Sequence, residues 1–158
     1  CMMPLVWLYR RHTMKHTLCL LFSTVLGVLA IDPIMNHETA LKTYVEKLNT
    51  HSWDQIAPHV AEDAVFIFTE GTFIGHGAAK AAFEKTFKLI ENEVFSLHDI
   101  VWTVVTDDVA TCHYEFRWKG LISGQEAEGG GRGTTILRKV DGRWLIAHEH
   151  LGPYARKS

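Results

Sequence analysis

Cysteine is scarce in this chain. Only Cys1, Cys19 and Cys112 occur, and Cys112 alone lies where the patterning reads as folded. A disulfide framework is therefore not expected, the spacing fits no zinc motif, and the fold must rest on its core. An excess of basic charge is also missing: 16 Lys and Arg face 18 Asp and Glu, for a formal net charge of −2. No footprint for nucleic acid follows from that balance. The three basic residues of positions 1–30, Arg10, Arg11 and Lys15, meet no acid there, which leaves residues 31–158 acidic. Internal repeats are absent, and one glycine cluster is the only biased tract. The run Gly71-Thr72-Phe73-Ile74-Gly75-His76-Gly77 resembles a phosphate loop but lacks the Gly-Lys-Ser/Thr ending, so its glycines read as turn and cap residues. No motif for nucleotide or flavin is present, and no cofactor is implied.

The apolar run Leu18–Leu29 is too short for a comfortable membrane span. Preceded by Met14-Lys15-His16, and with Val28 and Ala30 at −3 and −1 of a cleavage site, it has the layout of a signal peptide. On that reading residues 1–30 are a leader, and residues 31–158 form one domain that is periplasmic or secreted, with no membrane attachment in its mature form. If translation starts at Met35 instead, the protein is cytoplasmic.

What is present is mostly pattern. Leu41, Tyr44, Val45 and Leu48 recur at helical spacing and predict an amphipathic helix over 38–49. Ser52-Trp53-Asp54-Gln55 has capping-box spacing and predicts a short second helix ending near Pro58. Ala64–Thr69 reads as a strand and Phe73-Ile74 as a short extended piece. Gly77 opens a third helix, over about 78–91, with the stripe Ala79, Phe83, Phe87 and Ile90. From Val94 onward the pattern is strand. Phe95–Thr106 and Val109–Leu121 flank Asp107-Asp108, and Arg132–Val140 and Arg143–Leu151 flank Asp141-Gly142, a strong hairpin signal. The Gln125–Gly133 segment, with Gly129, Gly130, Gly131 and Gly133, reads as a flexible loop leading into a kinked strand, or as a mobile rim carrying Arg132 over a pocket mouth.

An unbroken ladder around Asp107-Asp108 pairs Val101 with Tyr114 and Asp99 with Phe116. It sets Asp99 on an apolar face with Leu97, Val101, Cys112, Tyr114 and Trp118, and Trp102 and His113 on the other. A carboxylate desolvated in that way is a candidate general acid or base. A plainer reading leaves Asp99 near the strand start, solvated or capping a loop. His148 and His150, two apart on the last strand, share a face with Trp144 and Ile146 and resemble a pocket floor. They suit an acid–base pair, a ligand clamp or metal ligation. Metal would need a third ligand, and His113, Glu115 and Glu70 have no diagnostic spacing, so no metal site is assigned. Tyr44, Trp53, Tyr114 and Trp118 combine an apolar body with a polar tip, suiting core packing or a pocket for a small apolar or aromatic organic molecule. Cys112 reads as inert packing. Both faces of the last hairpin are partly apolar, which points to a homodimer through the outer sheet face.

Ser52-Trp53-Asp54-Gln55-Ile56, Asp63-Ala64-Val65-Phe66, Gly71-Thr72-Phe73-Ile74-Gly75, Asp107-Asp108-Val109-Ala110 and Gly142-Arg143-Trp144-Leu145-Ile146-Ala147-His148-Glu149-His150 occur in the order found in the nuclear transport factor 2-like superfamily. Over about Glu38 to Pro153 the chain resembles its SnoaL-like group, relatives of the association domain of calcium/calmodulin-dependent kinase II. The resemblance implies an α+β, cystatin-like cone, in which a curved antiparallel sheet wraps around three N-terminal helices and encloses a conical pocket. It also implies dimers or larger rings. Three functions are compatible: a small-molecule-binding protein, with Tyr44, Trp53, Tyr114, Trp118, Arg132 and His150 as ligand contacts; a cofactor-free isomerase, dehydratase or hydrolase, with Asp99 and His148 as acid and base; and an oligomerisation hub.

Overall fold

The computed structural model describes residues 35–154. The expected leader lies outside them. Helix α1 (His37–Leu48) begins at Asn36, whose side chain accepts a hydrogen bond from the Thr39 amide at 2.8 Å, and it buries Ala40, Leu41, Tyr44 and Leu48. Helix α2 is a single turn, Trp53–Ile56, continued by a tighter turn over Ala57–His59. The expected capping box does not form: the Ser52 side chain makes no cap bond, and its carbonyl alone accepts from Gln55 and Ile56. Strands β1 (Val60–Phe68) and β2 (Gly71–Ile74) follow, then α3 (Gly75–Leu89), which starts two residues before the expected Gly77. Four long strands complete the fold: β3 (Glu91–Val105), β4 (Val109–Ile122), β5 (Gln125–Val140) and β6 (Arg143–Pro153). No described helix is long and apolar enough to cross a membrane.

The six strands form one curved sheet in the order β2-β1-β6-β5-β4-β3, antiparallel except where β1 runs parallel to β6. The helices lie against its inner face. Phe83 of α3 is the hub of that packing: its ring meets Trp53 at 5.8 Å, Phe66 at 5.2 Å, Phe68 at 5.7 Å and Phe87 at 6.1 Å, centroid to centroid. The α1 exit is pinned by Asn49, whose Oδ1 accepts from the Phe95 amide at 2.7 Å while Nδ2 donates to the Phe95 carbonyl at 2.9 Å. Asn49→Ala removes both bonds between α1 and β3. Urea unfolding should show a loss of about 1 kcal/mol, small because the site is solvent-exposed; an unchanged midpoint would mean that water substitutes fully.

The Asp141-Gly142 turn forms as expected, both residues having positive φ (49° and 77°). A second turn of the same kind, Ser123-Gly124 (φ 53° and 75°), joins β4 directly to β5. The Gln125–Gly133 segment is therefore not a loop. It is the first half of β5, paired residue for residue with β4 from Ile122↔Gln125 to Tyr114↔Gly133. The reason is steric. On the inner face Tyr114, Phe116 and Trp118 of β4 stand opposite Gly133, Gly131 and Gly129 of β5. A Cβ at Gly129 would lie 2.7 Å from the Trp118 indole, one at Gly133 would strike the Tyr114 ring, and one at Gly131 would strike the Gly152 carbonyl of β6. Glycine lets the rings lie across β5 and lets β6 approach it closely.

Candidate functional site

Three of the sheet's bulges decide which way the candidate residues face. In β3 the pairing jumps from His98↔Glu115 to Val101↔His113, and again from Trp102↔Cys112 to Val104↔Thr111. The residue opposite Phe116 is therefore Leu97, not Asp99. Asp99 sits in the first bulge with φ 53° and is exposed. The straight ladder expected from the sequence fails there, and the desolvation argued for Asp99 goes with it. Trp102, expected on the outer face, instead packs against the core and meets the His37 ring at 4.5 Å.

The third bulge is at Ala147, where β5–β6 pairing steps from Leu137↔Ile146 to Ile136↔His148. One extra residue reverses the alternation beyond it. Ile146 points inward, as expected from the sequence, but His148 and His150 do not join it. They keep a common face, the outer one, with His148 half-buried opposite Ile136 and His150 exposed opposite Thr134. The residue turned into the core is Glu149, 1% exposed.

Glu149 is an ionisable side chain at the heart of an aromatic interior, and three hydroxyls converge on it. Tyr44 Oη of α1 donates to Oε2 at 3.0 Å; Tyr114 Oη of β4 and Thr135 Oγ1 of β5 stand 3.0 and 3.3 Å from Oε1, and 2.7 Å from each other. All four residues are buried. Desolvation raises the Glu149 pKa from its ordinary value, although hydrogen bonds from Tyr114, Tyr44 and Thr135 oppose it. Both phenols are held well above their ordinary value, first by burial and then by the neighbouring Glu149. The neighbouring Cys112 thiol is pushed up to about 12 by burial, in keeping with inert packing.

Of the residues singled out from the sequence, Tyr44 and Tyr114 come together here. Trp53 is buried between Phe83 and His76, at 5.8 and 5.4 Å. Trp118 is half-buried over Gly129, next to the stacked Phe95–Phe116 pair at 5.9 Å. Asp99, Arg132 and His150 meet elsewhere, in a groove on the outer face with Val101, His113, Glu115 and Thr134. Arg132 lies 5.7 Å over the Tyr154 ring there. Among the described residues, no three His, Cys, Asp or Glu side chains stand close enough to share a metal ion. Glu149 itself escaped the sequence reading. Its signal is the unbroken apolar run Trp144-Leu145-Ile146-Ala147, which breaks the two-residue alternation and marks a slip of one.

The SnoaL-like domain model matches residues 41–146. No curated protein matches the chain by sequence. Among solved structures, a Xanthomonas campestris protein described as a calcium/calmodulin dependent protein kinase II association domain superposes with TM-score 0.64 at 19% identity, covering 72% of this chain and 81% of its own. A nuclear transport factor 2-like superfamily protein of Salmonella enterica gives TM-score 0.68 at 16% identity, over 75% and 89%. A Novosphingobium aromaticivorans protein described as a scytalone dehydratase gives 0.64 at 17% identity, over 75% and 81%. At these identities the likeness is one of fold.

Proposed function

The chain belongs to the SnoaL-like domain family, and on that premise we propose that it binds a small apolar or aromatic organic molecule against the inner face of its cone. The observation that carries this reading is the solitary carboxyl of Glu149, ringed by Tyr44, Tyr114 and Thr135 in an otherwise apolar, aromatic interior. A cone filled only for stability gains little from such a group, because a buried polar cluster at best offsets its own desolvation. The half-buried rings of Phe95, Trp118 and Phe87 supply the apolar contact, and the Glu149 cluster supplies the polar end. Arg132 and His150 belong to a separate surface, the outer face. There the exposed side chains of Val101, Val104 and Val109 favour a homodimer packed sheet to sheet.

A second reading is supported by the raised pKa of Glu149. A carboxyl that exchanges its proton nearer neutrality suits a cofactor-free isomerase, dehydratase or hydrolase. The acid–base role first given to Asp99 and His148 then passes to Glu149, with Tyr114 as its hydrogen-bonding partner. The dehydratase description of one structural neighbour fits this alternative.

Native mass spectrometry of the full chain purified from cells, compared with the same sample denatured, tests the proposal. The expected result is a dimer mass carrying an organic adduct that denaturation releases. A bare protein mass in every preparation would remove tight binding, and a monomer would remove the sheet-to-sheet dimer. With a ligand in hand, Glu149→Gln separates the two readings: binding kept but turnover lost means catalysis.

A further inference from the structure

The oxygen atoms of the Glu149 cluster make four contacts: Tyr44 Oη to Oε2, Tyr114 Oη to Oε1, Thr135 Oγ1 to Oε1, and Tyr114 Oη to Thr135 Oγ1, at 3.0, 3.0, 3.3 and 2.7 Å. The three hydroxyls are neutral, and the 3.3 Å edge is the longest of the four. An ionised Glu149, 1% exposed, would be an uncompensated charge in a dry core, a state that proteins relieve by neutralising the group. The neutral acid also brings a hydrogen that gives each edge of the Tyr114–Thr135–Oε1 triangle a donor. We infer that Glu149 is carried in the folded protein as the neutral acid, its own hydrogen on Oε1 donated to Tyr114 Oη. The four hydrogens then fill the four contacts. Glu149 donates to Tyr114, Tyr114 donates to Thr135, Thr135 donates back to Oε1, and Tyr44 donates to Oε2.

The surroundings agree. The titratable groups that face Glu149 are Tyr44 from α1 and Tyr114 and Cys112 from β4, none of them a cation. Thr135 faces it from β5. His148 and His150, adjacent in sequence, point to the opposite side of the sheet. Burial also raises the carboxyl's pKa.

The cluster is thus a proton-dependent joint that ties α1 to β4, β5 and β6. Its effect on stability has a definite sign. The folded pKa of Glu149 lies above its unfolded value of about 4.3. The contribution is fully present below that unfolded value and is lost as pH rises through the folded pKa. Within this window, each unit of pH lowers the folding constant by a factor of about ten on account of Glu149 alone.

The test is urea unfolding of the full chain and of Glu149→Gln from about pH 4.5 upward, the lower bound following from the unfolded carboxyl. The glutamine amide offers a hydrogen to Tyr114 without titrating. The expected result is a wild-type stability that falls with pH relative to the variant. Parallel curves would overturn the proposal. Should the variant not fold, infrared spectroscopy of wild type with carbon-13-labelled glutamate decides directly. A protonated-carboxyl band that persists at neutral pH supports the neutral acid, and its absence overturns it.

Discussion

Gly131→Ala should unfold at a markedly lower urea concentration than the wild type, with a stability loss of about 3 kcal/mol. The added Cβ has nowhere to go. It would meet the Gly152 carbonyl and the Pro153 Cα of β6, which are backbone and cannot rotate aside, so β5 and β6 must part at the point where they pair. With a urea slope of about 1–3 kcal/mol per molar, that loss lowers the midpoint by about 1 M or more. Gly77→Ala is the matched control. It lies in the first turn of α3 with open space around it, and alanine there should be neutral or stabilising by up to about 1 kcal/mol. Coincident midpoints for the two variants would mean that the glycine ladder is not a steric requirement.

Glu149→Ala is expected to cost about as much for a different reason. It leaves the Tyr44 hydroxyl buried without a partner, while Tyr114 and Thr135 keep only each other. Each buried polar group left unsatisfied costs about 1–3 kcal/mol, and the vacated volume adds to it, so a loss of about 3 kcal/mol or more is expected. Tyr44→Phe should cost about 1 kcal/mol in the wild type and much less in the alanine background, because the partner it would lose is already gone. A double-mutant cycle reads the difference as a coupling of about 1 kcal/mol. Strict additivity would show that Tyr44 and Glu149 do not depend on one another. Hydrogen exchange supplies a second readout, since α1 amides should lose protection in Glu149→Ala ahead of those in β4 and β5.

The elements that rest on side-chain periodicity were legible in the sequence. The Leu41–Tyr44–Leu48 stripe and the Phe83 helix needed only the 3.6-residue repeat, and Asp141-Gly142 needed only the backbone preference of a two-residue turn. What could not be read was phase. The bulges at Asp99-Ile100, Thr103 and Ala147 arise from how neighbouring strands fit, and each moves the residues beyond it to the other face. So Asp99 and the histidine pair, which an unbroken alternation sets inside, lie outside, while Glu149, which no motif singles out, lies inside. The glycine cluster misled for a related cause. Glycine is depleted in strands, and only the ring-by-ring opposition of Tyr114, Phe116 and Trp118 explains its use within one. The signal for this strand is Ser123-Gly124, a hairpin turn of the same kind as Asp141-Gly142.

The position of β6 in the sheet has a consequence for the order in which the protein is assembled. The last of the described strands to leave the ribosome is an interior one, seated between β1 and β5. Until it arrives, the β1–β2 hairpin has no neighbour to join, and β5 presents an unpaired row of amides and carbonyls. Tyr44, made about a hundred residues earlier (105 positions separate it from Glu149), waits for its partner throughout translation. The β3–β4–β5 meander, built from adjacent segments, can form while synthesis continues; the parallel closure onto β1 cannot. The nascent chain therefore holds two separate pieces of sheet, with β1 and β5 each unpaired on one side, until β6 is released, and that interval is when a chaperone or a second nascent copy would find it most receptive.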